Sequence, residues 1–139
     1  MPSRAVADTG PLVAIIRSRE KVHKKCVAAL KTLRTPLLTC WPVLTEAAWL
    51  LRNEPGGIKA IGKLIDSGLV KLAPLDDEAL AWIIAFMERY ADANAQMADA
   101  ALMYLAEQEG IDTVFTLDRR DFSIYRTTDG RALTIVPET

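Results

Sequence analysis

Short apolar runs alternate with longer stretches of helical period along the whole chain, and this alternation restricts its fold more than any other feature. Arg4-Ala5-Val6-Ala7 reads as a buried strand, as do Pro36 to Thr39, Val70-Lys71-Leu72, Thr113-Val114-Phe115-Thr116 and Leu133-Thr134-Ile135-Val136. Between them, apolar residues recur at steps of three and four. A brief helical turn is expected over Leu12 to Ile16, then a helix over Glu20 to Leu33 with Val22, Cys26, Ala29, Leu30 and Leu33 on one stripe. Further helices are expected from Pro42 to Arg52, from Ile58 to Ser67, from a cap at Asp76 or Asp77 to Tyr90, and from Met97 to Glu109. Pro42 suits a first helical turn, where its missing N–H does no harm. Gly110 is placed to close the last helix in a left-handed conformation, and Ala91 to Gln96 is expected to be a loop. Strands separated by helices imply an α/β fold, three layers (α/β/α) around a central parallel sheet of four to five short strands.

With 139 residues, half of them hydrophobic and a quarter charged, the chain is expected to form a single domain over residues 1–139. Its longest purely apolar run, Ala79 to Met87, is far short of the ~20 residues that span a bilayer. Met1-Pro2-Ser3-Arg4 lacks the apolar stretch of a secretory signal. Cys26 and Cys40 do not make a disulfide framework in a chain of this size. The expectation is a reduced, cytoplasmic protein with no membrane association.

Charge is unevenly spread. Residues 1–71 carry 12 Lys/Arg against 5 Asp/Glu, and residues 72–139 carry 5 against 13. Arg17, Arg19, Lys21, Lys24, Lys25, Lys31 and Arg34 crowd one segment, which either holds a phosphate backbone or is a solvated helix face.

The acidic residues gain meaning from the fold. In open parallel sheets, ligands sit beyond the carboxyl ends of the strands, where the strand order reverses. Asp8 follows the first expected strand directly, and Asp118 follows the fourth. Glu46 is near the start of the helix after the second strand, and Asp99 is in the first turn of its own helix. Two carboxylates about 5 Å apart repel by roughly 3 kcal/mol at an effective dielectric near 20. A cluster of four therefore takes up protons or holds divalent cations, and oxygen-only ligands favour Mg²⁺ or Mn²⁺ over zinc. Each acid also has a structural alternative: a turn or cap for Asp8 and Asp118, a helix-dipole partner for Asp99, a narrow polar stripe with Thr45 and Trp49 for Glu46. Four such residues at strand-linked positions favour the functional alternative.

These segments resemble the PIN-domain family, and within it the VapC-type toxin ribonucleases of toxin–antitoxin pairs. Val6-Ala7-Asp8-Thr9-Gly10-Pro11-Leu12 looks like the family's opening strand and first acid, and Val43-Leu44-Thr45-Glu46-Ala47-Ala48 like the segment carrying its glutamate. Met97-Ala98-Asp99-Ala100-Ala101-Leu102 and Val114-Phe115-Thr116-Leu117-Asp118-Arg119-Arg120-Asp121-Phe122 resemble its third and fourth acidic segments. The resemblance implies a metal-dependent endoribonuclease, with Mg²⁺ or Mn²⁺ held by Asp8, Glu46, Asp99 and Asp118, that forms a homodimer and is inhibited by a cognate antitoxin. It places Thr9 and Thr116 near the site as accessory hydroxyls. Gly10 stands where the family often has a small polar residue. Asp121, three positions past Asp118, is the alternative fourth acid; Asp92 is a further candidate, read as a loop cap.

Lone His23, in a basic segment, reads as a surface residue. Trp41, Trp49 and Trp82 fall on helices and read as core, or as part of a groove for an antitoxin segment. Two rivals remain: a PIN-like binding module that has lost activity, and an aspartyl-phosphate phosphatase using Asp8, whose usual second Asp two residues on is here Gly10.

Overall fold

All five expected strands are present in the computed structural model, which describes residues 2–138. β1 (Ser3–Ala7) leads to α1 (Thr9–Ile16) and α2 (His23–Leu30), and β2 (Leu33–Thr39) to α3 (Trp41–Leu50) and α4 (Gly57–Asp66). β3 (Val70–Leu72) leads to α5 (Asp77–Arg89) and α6 (Met97–Glu109); β4 (Thr113–Phe115), α7 (Arg119–Ile124) and β5 (Thr134–Val136) complete the chain. Every pairing is parallel, in the order β3-β2-β1-β4-β5. The order reverses beside β1: the chain steps outward to β2 and β3, then returns to pair β4 on the other side of β1.

Right-handed crossovers put the helices between β1, β2 and β3 on one face and those between β3, β4 and β5 on the other. Packing agrees, since α1 touches α2, α3 and α4, whereas α5 packs on α6. Val6, Ala7, Leu37, Val114 and Phe115 of the sheet are fully buried, as are Leu102 and Met103 of α6. A smaller cluster of Val13, Ala47 and Leu51 joins α1 to α3 and the residue that ends it.

The differences from the sequence expectation have local causes. The expected helix from Glu20 to Leu33 spans only His23–Leu30, and Leu33 is instead the buried first residue of β2. The Thr32 hydroxyl donates to Ala29 O at 2.6 Å, drawing the chain out of the helix. β2 therefore starts before Pro36, and the β1 register slips between Arg4↔Arg34 and Val6↔Leu38, opposite the residue that has no N–H to give. α1 begins at Thr9 rather than Leu12 because Asp8 caps it, accepting from Thr9 N at 2.8 Å. The expected loop at Ala91 to Gln96 contains a 3₁₀ turn, Ala91–Ala93, ended by Asn94 at φ 56°. Asp76 is the cap of α5, its carboxylate accepting from Ala79 N. Gly110 is left-handed as expected, at φ 65°.

Three side chains sit differently from the expectation. His23 is half-buried, its Nδ1 bonded to Ala14 O at 2.7 Å, so it braces α2 against α1. Trp82 is partly buried against the core, but Trp41 and Trp49 are 65% and 64% exposed. Cys26 and Cys40 are buried free thiols. Among the described residues, no helix is long and apolar enough to cross a membrane.

α7 was not foreseen, because a helix of 6 residues is too short to show a period. Phe122, 1% exposed, is its only buried residue. Phe122→Ala is expected to cost about 3–5 kcal/mol, lowering the melting temperature by roughly 2–4 °C for each of those kcal/mol. Thermal unfolding followed by circular dichroism checks this; a melting point within a degree or two of wild type would mean that α7 is not anchored by this ring.

Candidate active site

The carboxyl ends of β1 and β4 lie side by side, and the acids that follow them meet there. Asp8 Oδ1 accepts from Thr9 N, while Oδ2 accepts from Thr116 Oγ1 at 2.6 Å, a bond across 108 positions of sequence. The same Thr116 oxygen accepts from Asp118 N at 3.0 Å. One hydroxyl thus ties the end of β1 to the turn after β4. Asp118 caps α7, its Oδ1 accepting from Asp121 N at 3.1 Å.

Asp99 arrives from the first turn of α6, and the buried Tyr125 donates its hydroxyl to Asp99 Oδ2 at 2.9 Å. That tyrosine is wedged among Phe86, Tyr90 and Phe122, with ring centroids 5.1–5.2 Å apart, so the hydroxyl has little freedom to move. Glu46 is exposed on α3, with Val43 and Ala47 of the same helix buried. The four acids line one pocket of ≈1030 Å³.

The electrostatics are those of anions kept close together. Burial is the main cause that raises the Asp8 pKa; hydrogen bonds from Thr116 and Thr9 oppose it, and the charges of Glu46 and Asp118 add to it. Asp99 is raised to about 6, by burial first, against the Tyr125 hydrogen bond and with Asp8 and Asp118 adding repulsion. Asp121 is raised by burial and by Asp118. None of these acids has a Lys, Arg or His ion-pair partner among the described residues. A set of all-oxygen donors bearing uncompensated charge fits a hard divalent cation. Among the described residues no three His, Cys, Asp or Glu side chains stand close enough together to hold one metal ion between them. An ion here would be held directly by one or two of the carboxylates and would keep several of its waters, as Mg²⁺ does.

The accessory positions divide. Thr116 is in direct contact with Asp8, but the Thr9 hydroxyl turns away to Val43 O at 3.3 Å, and only its backbone N–H serves Asp8. Gly10 lines the pocket, and a Cβ there would meet Leu117 at 3.3 Å, so the absent small polar side chain is replaced by an apolar contact. Asp121 and Asp92 both line the pocket; Asp92 is exposed on the 3₁₀ turn. The basic segment from Arg17 to Arg34 contributes nothing to the pocket. Arg17 and Arg19 instead pair with Glu54 at 3.2 and 2.9 Å. The cations at the pocket are Arg89 and Arg120, from the acidic half of the chain. Tyr125, Arg89 and Arg120 carried no sequence signal of their own beyond the Arg119-Arg120 doublet.

A 26% identical relative is the ribonuclease VapC26 of Mycobacterium tuberculosis, aligned over 95% of this chain and 99% of that protein. Two solved structures share the fold. The crystal structure of Mycobacterium tuberculosis VapC20, a Sarcin–Ricin loop cleaving toxin, superposes with a TM-score of 0.75 at 17% identity, over 84% of this chain and 91% of that one. A toxin–antitoxin complex from Klebsiella pneumoniae gives 0.68 at 12% identity, over 86% and 91%. The PIN domain family model matches residues 5–127, a span that holds all four acids. The chain belongs to the PIN-domain family.

Proposed function

We propose that this chain acts as a single PIN domain over residues 1–139 and is an endoribonuclease dependent on Mg²⁺ or Mn²⁺, the toxin of a toxin–antitoxin pair. The observation that carries the proposal is that four carboxylates from distant parts of the sequence line one pocket, none of them in an ion pair with a Lys, Arg or His among the described residues. Asp8, Glu46, Asp99 and Asp118 are the residues that would hold the ion. When bound, such an ion lowers the pKa of a water and withdraws charge from a phosphodiester.

The chain's own groups do the rest. Thr116 and the Thr9 N–H hold the Asp8 carboxylate in one orientation, and Tyr125 does the same for Asp99. Oriented carboxylates need less reorganisation when charge develops beside them. Arg89 and Arg120 stand on the rim, where they meet a polyanion before it reaches the acidic floor. The aspartyl-phosphate alternative has less support: no lysine lines the pocket, and both Asp8 oxygens already accept hydrogen bonds.

The proposed partners are RNA, a cognate antitoxin and a second copy of the chain, acting in the cytoplasm. Exposed Trp41 and Trp49 on α3 offer apolar surface to a protein partner. Incubating the purified chain with labelled RNA tests the activity. Internal cleavage is expected with Mg²⁺ or Mn²⁺, none in EDTA, and recovery when Mn²⁺ is restored. Cleavage that persists undiminished in EDTA would rule out a metal-dependent site, and no cleavage of any RNA with either ion would favour a binding module.

A further inference from the structure

A second hollow of ≈230 Å³ lies beside the active site, between α5 and the segment 126–128. Trp82, Ala85, Phe86 and Arg89 line it from α5, spaced so that they share one helix face, and Arg126 and Thr128 line it from the other side. Its walls are held in place. Trp82 stacks on Phe86, with centroids 5.4 Å apart and 13° between the planes. The Trp82 Nε1–H donates to Glu107 Oε2 at 3.1 Å, and Thr128 donates its hydroxyl to that same oxygen at 2.8 Å. Glu107 thereby clamps the far wall to the ring, its carboxylate oxygens engaged by these donors. The Arg126 guanidinium donates to the carbonyls of Ser123 and Tyr125, at 2.7 and 2.9 Å.

Two further facts give the hollow a direction. Neither Arg89 nor Arg126 has a carboxylate ion-pair partner among the described residues. Arg89 also lines the carboxylate pocket, so one arginine side chain borders both cavities. A small hollow of aromatic and apolar walls with two uncompensated guanidiniums at its edge matches the two halves of a nucleotide: a planar base on the rings and a phosphate on the arginines. The acidic floor next door repels phosphate, and at its boundary Arg89 offers a cation to a neighbouring phosphate of the same strand.

We infer that this groove is a nucleotide subsite, holding the base and phosphate of a single-stranded RNA residue next to the bond that is cut. The inference rests on the endoribonuclease reading of the adjoining pocket, yet its test needs no cleavage. The chain labelled with ¹⁵N has three indole N–H signals, from Trp41, Trp49 and Trp82, and Trp82→Phe identifies the one that matters. In EDTA, AMP or UMP is expected to shift the Trp82 signal in a saturable way and leave those of Trp41 and Trp49 in place. Arg89→Ala is expected to weaken that binding about tenfold. Inorganic phosphate is expected to shift the signal far less than either nucleotide.

A Trp82 signal that ignores both nucleotides overturns the subsite, as does an Arg89→Ala chain that binds them like wild type. Phosphate binding as tightly as AMP would reduce the hollow to an anion site and overturn it too. So would a signal that responds to an acidic, phenylalanine-containing peptide and not to nucleotides, which would assign the groove to a protein partner. RNA cleavage with Mn²⁺, measured separately, keeps the two ideas apart. A chain that cuts RNA but binds no nucleotide here loses only the subsite, and one that binds nucleotides but cuts nothing loses only the nuclease.

Discussion

Asp8→Asn should leave a folded protein whose RNA cleavage has dropped by about 10³-fold or more, the upper range for removing one preorganised electrostatic group. The substitution preserves shape and takes away charge. Asparagine Oδ1 still accepts from Thr9 N, so the cap of α1 survives. On the other side its amide can only donate to the Thr116 oxygen, which already accepts from Asp118 N. Asp118→Asn should lose activity on a comparable scale, again with its cap on α7 retained. Asp121→Asn should lose no more than about 10–100-fold, the size of a supporting contact rather than of a ligand. Single-turnover cleavage of a labelled RNA, with circular dichroism to show folding, measures all three. An Asp8→Asn chain that cuts at the wild-type rate would remove the site, and a large loss at Asp121 with none at Asp118 would exchange their roles.

The second large effect is on stability. Asp99→Asn should make the metal-free protein more stable at neutral pH. The Asp99 pKa is raised by burial from 3.8 to about 6, so the folded chain binds this proton more tightly than the unfolded chain. The stabilisation from that proton is complete below the unfolded value and is lost as the pH rises through about 6. The wild type should therefore lose about 1–2 kcal/mol from this group between acidic and neutral pH, after allowing for its partial contact with solvent. Asp99→Asn, which still accepts from Tyr125, should keep that stability across the range. Glu54 and Asp129 act in the opposite sense, because their arginine and threonine partners lower their pKa values. The difference between variant and wild type at each pH reports Asp99 together with its repulsion of Asp8 and Asp118.

Mn²⁺ should reverse the comparison. An ion that binds only the folded state adds about 2.7 kcal/mol at one hundred times its dissociation constant. The wild type gains this in full, and a chain short of one carboxylate gains less. Calorimetric melting of both chains at acidic and neutral pH, with EDTA or Mn²⁺, gives the eight curves needed. An Asp99→Asn chain that melts at or below the wild-type temperature at neutral pH without metal would show that burial and its anionic neighbours do not penalise the charged Asp99.

Much of the fold was legible along the chain because its signals are local. Val6, Val114 and Ile135 mark strands by β-branching, Asp76 and Gly110 mark where helices begin and end, and Pro42 marks a first turn. Errors fell where local signals are short or compete. α7 is too brief to show a period, and Leu33 fits a helical stripe as well as it fits the head of β2. The basic run from Arg17 to Arg34 was conspicuous in sequence but lies away from the pocket, whereas Arg89 and Arg120 were unremarkable in sequence and stand on its rim.

By itself, then, the sequence determined the alternation of strands and helices, the parallel sheet, and the strand-linked placement of Asp8 and Asp118. Those follow from periodicity and capping, which act over a few residues. Only the tertiary structure decided that Glu46 and Asp99 join them, that Thr116 reaches Asp8, that Tyr125 grips Asp99, and that two arginines border the acids. These depend on how β4 returns to pair with β1 and how α6 is carried back over the sheet, distances that no local pattern encodes. Burial, and with it the raised pKa of Asp8 and Asp99, exists only once that closure has removed water from around them.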